Sequence, residues 1–276
     1  MLRKLRIALA VVFGLCVTAL LLDGTGVLRD WFGWMWDLQL LPSLLVLAAG
    51  TVAVPLLIVF ILTLLFGRVY CSVLCPLGIF QDLVHWISNK LFPHRKDRPW
   101  NRTPRREWAL LRYGVWVLLI LAIVLEWTSL IAYFGPESIY KSFLADLLGP
   151  LLGTVSFDAV ALWTALGMLV LIVALAALTG RDYCNRICPV GTTLGLLSRI
   201  SLFGPVIDAS KCRHCHRCEK HCKAGCISIP AAPSATPDGG KPATPPRPSI
   251  DASRCISCMN CLDQCPFGAL KFKSRL

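Results

Sequence analysis

Apolar residues in the first two thirds of this chain are gathered into four long runs, roughly Leu5 to Leu22, Leu41 to Phe66, Ala109 to Ile131 and Ala159 to Thr179. A hydrocarbon core is crossed by about 20 helical residues at about 1.5 Å each, so each run predicts a membrane span. One such run alone would also suit a buried core helix. Four in a row, each nearly free of charge, point to a membrane bundle. The second run is long and contains Pro55, which predicts tilt or a kink.

The polar stretches between the runs fix an orientation. Arg3, Lys4 and Arg6 open the chain, nine Lys or Arg lie between Gly67 and Arg112, and fourteen follow Gly180. The two other loops hold only Arg29 and Lys141, against Asp23, Asp30, Asp37, Glu137, Asp146 and Asp158. That asymmetry is a positive-inside pattern, and it predicts both termini in the cytoplasm. The formal net charge of +12 is thereby accounted for without nucleic acid. Run one has the basic start of a signal peptide, with Val17-Thr18-Ala19 ahead of a potential cut. Its apolar stretch continues to Leu22, which favours an uncleaved anchor. Trp31, Trp34 and Trp36 read as an interfacial aromatic belt.

Composition agrees: 55% of the 276 residues are hydrophobic and 16% charged, where soluble domains run nearer a quarter charged. The length suits a small bundle plus one compact domain.

Chemistry enters with the cysteines. Thirteen of fourteen fall on the cytoplasmic side; Cys16, in run one, reads as packing. Cytoplasmic thiols stay reduced, so metal or redox chemistry is expected rather than a disulfide framework. Cys212, Cys215, Cys218 and Cys222 form one C-x2-C-x2-C-x3-C run, and Cys255, Cys258, Cys261 and Cys265, followed by Pro266, form a second. Both are similar to two-cluster bacterial ferredoxins, where the fourth cysteine of each run serves the other cluster. That resemblance implies one [4Fe–4S] cluster on Cys212, Cys215, Cys218 and Cys265 and another on Cys255, Cys258, Cys261 and Cys222. Structural zinc is the competing occupant.

The two copies differ in three ways. Lys223 stands where the second copy has Pro266, Cys226 stands where it has Ala269, and a Pro-rich insertion from Pro230 to Ser249 separates the copies. Cys226 reads as a spare thiol. The stretch Cys212-Arg213-His214-Cys215-His216 also fits the haem attachment pattern C-x-x-C-H. It lies inside a cluster motif on the cytoplasmic side, which argues against haem. His85, His94 and His221 lie outside the runs, so no pair of histidines is placed to hold an intramembrane haem.

Four cysteines remain. Gly67-Arg68-Val69-Tyr70-Cys71-Ser72-Val73-Leu74-Cys75-Pro76-Leu77-Gly78 follows run two, and Gly180-Arg181-Asp182-Tyr183-Cys184-Asn185-Arg186-Ile187-Cys188-Pro189-Val190-Gly191 follows run four. Both read G-R-x-Y-C-x3-C-P-x-G at an offset of 113, which points to a duplicated helical hairpin. Three readings stay open. Cys71, Cys75, Cys184 and Cys188 share a metal or cluster; each pair is a redox dithiol or docking site; or the motif only fixes helix ends, with Gly and Pro as stop signals. Arg68 and Arg181 would stabilise thiolates or simply mark a cytoplasmic span end.

This combination resembles the NapH/MauN family of membrane-bound ferredoxin-type proteins over nearly the whole chain, with similarity to the membrane parts of NosR and of cytochrome oxidase accessory polyferredoxins. The resemblance implies an iron–sulfur subunit linking the quinol pool to a periplasmic reductase. Its partners would be a ferredoxin subunit, a multihaem cytochrome, or both. The alternative is an accessory, maturation or redox-sensing factor for a periplasmic metalloenzyme. For a quinone site the sequence offers Glu126 in run three, or Gln81 with His85 after the first C-x3-C-P motif. The expected architecture is an α-helical protein of the bacterial inner membrane. A four-span bundle of two duplicated hairpins (residues 1–200) is followed by a C-terminal α+β two-cluster ferredoxin-like domain (201–276).

Overall fold

The computed structural model describes residues 2–23, 27–39, 54–92, 106–125, 127, 139–141, 144, 159–230 and 248–275. Glu126, residues 41–53 of run two, the end of run three and residues 231–247 of the insertion lie outside them. Helix α1 (Leu2–Leu22) is followed by two short helices, α2 (Val27–Phe32) and α3 (Trp34–Asp37). Then come α4 (Val54–Phe66), α5 (Tyr70–Val73), α6 (Pro76–Leu91), α7 (Arg106–Val124), α8 (Ala159–Thr179), a π-turn at Tyr183–Ile187 and α9 (Pro189–Leu197). Among the described residues α1 is long and apolar enough to cross a membrane, while the apolar helical stretches Val54–Phe66, Ala109–Val124 and Leu166–Thr179 are shorter. Pro55 sits in the first turn of α4, where its missing N–H has no intrahelical partner to lose.

The two halves are built alike and packed crosswise. Helix α8 of the second half lies on α6 of the first, and α9 of the second lies on α4 of the first. Helices α1 and α7 flank the pair, α1 against α5 and α6, α7 against α9 and the π-turn. Each motif glycine ends its helix with a positive φ, 73° at Gly67 and 97° at Gly180, the conformation a Cβ disfavours. Each motif proline opens the next helix after an extended cysteine, Cys75 or Cys188.

The cysteine-rich tail has its own pseudo-symmetry. Strand β1 (Phe203–Ile207) precedes the first cysteine run and pairs antiparallel with β4 (Leu270–Ser274) after the second, Phe203 opposite Ser274. Strand β2 (Ile227–Ser228) pairs with β3 (Ser249–Ile250) between the runs. Two short helices, α10 (Arg217–Lys220) and α11 (Asn260–Gln264), carry the third cysteines and pack together. This unit sits on the end of the bundle, where Phe66 and Phe203 stack at 5.9 Å.

Candidate iron–sulfur site

Two small cavities open inside the tail. Cys212, Cys215, Cys218 and Cys265 line one, together with Ala269. Cys222, Cys255, Cys258 and Cys261 line the other, together with Cys226. Each cavity thus draws three thiols from one run and the fourth from the other. The remaining walls are largely apolar: Ile207, Ile229 and Leu270 in the first, Ile227, Ile250 and Ile256 in the second.

The loops are shaped in the same way around both. His214 and His216 flank Cys215 with φ of 50° and 56°, and Ser257 and Met259 flank Cys258 with 50° and 58°. Left-handed backbone costs a non-glycine residue about 1–3 kcal/mol. Four such residues at equivalent places mean that the loops are bent for a purpose. Alternating right- and left-handed residues turn successive N–H groups inward as an anion-binding nest, a device found at Fe–S sites. In the second cavity the Cys226 thiol, helped by main-chain N–H groups of Cys226, Ala224 and Ile227, outweighs burial and brings the Cys222 thiol down to about 6. Cys255 is lowered too, again chiefly by the Cys226 thiol. Thiolates are the metal-binding form. Among the described residues no three Cys, His, Asp or Glu side chains converge as ligands of a single metal ion. Four thiols around an apolar-walled cavity, with inward N–H groups, fit a multi-iron cluster.

The cavities differ in surroundings. The first set comprises exposed Cys215, half-buried Cys212 and Cys265 and buried Cys218; the second comprises half-buried Cys258 and buried Cys222, Cys255 and Cys261. The second, inner cavity rests on the bundle. Ser257 Oγ donates to the Phe66 carbonyl at 2.8 Å, Ser198 Oγ to Ala252 O at 2.7 Å, and Asn185 Nδ2 to Ala224 O at 3.0 Å. The Arg181 N–H donates to Lys223 O at 3.1 Å, and Lys223 Nζ lies 3.2 Å from Asp82. So Lys223, the residue in the proline's place, ties the inner loop to the bundle.

Asp82 is the centre of that joint. Arg6 and Arg181 approach it at 2.7 and 3.0 Å, besides Lys223. Burial opposes its ionisation, but the charges of Arg181, Lys223 and Arg6 hold its carboxyl well below the usual carboxylate range. Sequence reasoning passed over Asp82; its signal was a lone acid on a helix in a basic segment. Arg112, counted there only as a positive charge, donates to Thr192 Oγ1 at 3.3 Å and lies 3.5 Å from Ser253 O.

The duplicated motif is a reciprocal latch. Arg68 Nη2 donates to the Cys184 carbonyl at 2.9 Å, and Arg181 Nη1 donates to the Cys71 carbonyl at 2.7 Å. Both arginines are fully buried. Arg68 Nη1 also donates to Asn185 Oδ1 at 2.6 Å and to Ser253 O at 3.1 Å. A Cβ on Gly78 would collide with the Cys71 carbonyl and Arg181, and one on Gly191 with the Cys184 carbonyl and Arg68. Every fixed residue but the tyrosines and cysteines is thereby explained as helix end, latch or clearance. The four motif cysteines are buried at the same end of the bundle. Burial is the main cause that raises the thiols of Cys75, Cys184 and Cys188, as it raises those of Cys218, Cys258 and Cys261 in the tail cavities. Gln81 Nε2 donates to Cys184 Sγ at 3.4 Å, and His85 Nδ1 pairs with Ala176 O at 3.1 Å; both are engaged in packing the halves together.

Comparison with known proteins agrees with this division. The family described as "4Fe-4S binding domain" matches residues 48–95 and 161–206, one match on each duplicated half. The family described as "4Fe-4S dicluster domain" matches residues 211–269. The methylamine utilization ferredoxin-type protein MauN of Paracoccus denitrificans is 32% identical over 194 residues, 67% of this chain and 60% of that protein. The ferredoxin-type protein NapH of Haemophilus influenzae is 26% identical over 175 residues, 60% of this chain and 51% of that protein. The chain belongs with the NapH/MauN ferredoxin-type proteins. The putative electron transport protein YccM of Escherichia coli is 28% identical over 62% of the chain and 45% of its own length. The chain spans 45–60% of the length of these relatives. No solved structure matches.

Proposed function

We propose that this chain is a membrane iron–sulfur electron-transfer subunit that links the quinol pool to a partner redox protein, toward a periplasmic reductase. The observation that carries the proposal is the pair of interleaved four-thiol cavities, one seated on the bundle and one facing outward. Cys212, Cys215, Cys218 and Cys265 would hold one [4Fe–4S] cluster and Cys255, Cys258, Cys261 and Cys222 the other. Each cluster, when bound, supplies a one-electron carrier. The chain's own residues do the rest. The apolar walls exclude water from the inner site, Asp82 and Lys223 fix it to the bundle, and exposed Cys215 marks the face open to a partner.

In this reading the apolar helices form a four-span bundle with both termini in the cytoplasm (domain 1–200), and the tail is the cytoplasmic domain (201–276). Cytoplasmic clusters need a partner with a centre inside the membrane to deliver electrons across the bilayer; a ferredoxin subunit or multihaem cytochrome would take them onward. The C-x3-C-P motifs serve as the latch between the halves, through the reciprocal bonds of Arg68 and Arg181.

The test is anaerobic stopped-flow of the reduced, cluster-loaded full chain mixed with a short-chain quinone, following cluster absorbance. Reoxidation in milliseconds to seconds supports the subunit. Rates no faster than those of a soluble two-cluster ferredoxin would overturn it in favour of the accessory-factor reading. Iron matching two four-iron clusters is expected; more iron would restore the third site.

A further inference from the structure

A third cavity, of about 540 Å³, runs between α1 and α6, within the usual size of small-molecule sites. On α1 it is lined from Arg3 to Thr18, about 22 Å of helix at 1.5 Å per residue. Its long walls are apolar: Ile7, Val11 and Leu15 face Ile79, Leu83 and Trp86. Its cytoplasmic end is polar and charged: Arg6 and Lys223 lie 2.7 and 3.2 Å from Asp82, and Arg3 pairs with Asp263 at 2.8 Å. At that end Cys258 and Asn260 form part of the wall, and the same two residues line the inner four-thiol cavity. The groove and the candidate cluster site therefore share a wall.

The polar end is built from buried charge. Arg6 is nine-tenths buried, and its Nη2 donates to Ser72 O at 2.8 Å and to Asp82 Oδ2 at 2.7 Å. Arg6 and Lys223 stand against the one carboxylate of Asp82 on this wall, so the end favours electron-rich oxygen. At the opposite end the Thr18 and Tyr140 hydroxyls pair at 2.8 Å.

We propose that this groove is the quinone site, with the carbonyl-bearing ring at the Arg6 end against the Cys258–Asn260 wall and the isoprenoid tail along α1 and α6. The inference rests on the electron-transfer reading for its choice of ligand, and it moves the site away from Glu126 and from Gln81 with His85. A quinone carbonyl is drawn to the cationic end without carrying a charge into it, whereas a phospholipid headgroup would bring a phosphate. Gly14 lies in the lining, and a side chain there would extend toward Ile79.

The test is photolabelling of the cluster-loaded full chain in phosphatidylcholine nanodiscs with an azido-derivatised short-chain quinone, mapped by mass spectrometry. Labels are expected on residues 3–18 and 76–86, displaced by unlabelled quinone, and reduced at least tenfold in Gly14→Trp. Labels elsewhere overturn the site, as does displacement by phosphatidylglycerol but not by quinone, which would make the groove an anionic-lipid site. The wild-type map does not depend on the variant folding. Quinone-driven cluster reoxidation with labels outside the groove would refute the site alone. Groove labelling without any such reoxidation would leave the binding site standing and refute the electron-transfer reading.

Discussion

The two four-thiol cavities are copies of one design in different settings. The outer one presents Cys215 to solvent and has Ala269 beside its cysteines. The inner one is buried, leans on the bundle through Ser257, Ala224 and Lys223, and has Cys226 in the equivalent place. The equivalence is structural: Asp208 N donates to Ala269 O, and Asp251 N to Cys226 O, both at 2.8 Å. Duplication provided the ligands, and the surroundings then set the two sites apart. The result is an outer site with an exposed thiol and an inner site with less access to water.

Removing a thiol tests this contrast most strongly. Cys261→Ser should lose one cluster, about half the iron, and also lower the melting temperature of the bundle, because the inner loop is part of its end. Cys215→Ser should lose a similar amount of iron but leave the bundle's melting nearly unchanged. Metal-dependent folding of small domains supplies the physical reason. Iron analysis with thermal melts of both variants decides; equal melting losses would mean that the inner site has no special tie to the bundle.

The next effect belongs to Asp82. Asp82→Asn leaves Arg6, Arg181 and Lys223 facing one another, and breaking a buried pair from one side costs about 3–5 kcal/mol. The carboxyl's lowered proton affinity sets the sign. Its contribution is complete above the unfolded carboxylate value near about 3.9 and is lost as pH falls below that. The deficit should therefore be flat from about pH 5 to 8 and shrink below about 4. The inner loop should become protease-sensitive while the outer loop does not. Denaturant melts across pH with limited proteolysis would detect a deficit that instead varies between pH 5 and 8, which this joint does not allow.

How much of this was readable beforehand depends on whether the information is local. Cysteine spacing is local, and the ferredoxin resemblance named both thiol sets that line the cavities. Gly and Pro as stop signals were equally local, and Gly67, Gly180, Pro76 and Pro189 stand where that reading put them. The latch was not, because Arg68 and Arg181 each bond a carbonyl more than a hundred residues away. Their nearness to the thiols was local: Arg68 Nη2 lies 3.8 Å from Cys71 Sγ, in keeping with the reading of these arginines as partners of the cysteines. Lys223 looked like a defect in a motif, since Asp82, its partner, lies 141 positions earlier.

The latch predicts a smaller effect. Gly78→Ala and Gly191→Ala push a methyl into a carbonyl and a guanidinium, overpacking that costs about 1–3 kcal/mol. Both collisions reach the inner cavity: Arg68 also donates to Ser253 beside the inner loop, and Arg181 bonds both Asp82 and Lys223 O. Melting each variant alongside the spectrum of the inner cluster would check this, and an unchanged spectrum in either variant would mean that its arginine has no hold on that site.

The smallest effect is the sharpest measure of the difference between the cavities. Cys226 Sγ lies 3.4 Å from Cys222 Sγ, and its N–H donates to the same sulfur at 3.4 Å. A cluster gains negative charge on reduction, so a thiol donor to its ligands favours the reduced state and raises the potential. A weak hydrogen bond of about 0.5–1.5 kcal/mol corresponds to about 20–60 mV for one electron. Cys226→Ala should lower the inner cluster's potential by that amount and leave the outer one in place, while Ala269→Cys should raise the outer one. Electron paramagnetic resonance titration of both variants reads the two shifts separately. Loss of the inner cluster in Cys226→Ala would make Cys226 a ligand, and unchanged potentials in both variants would mean that burial alone separates the two sites.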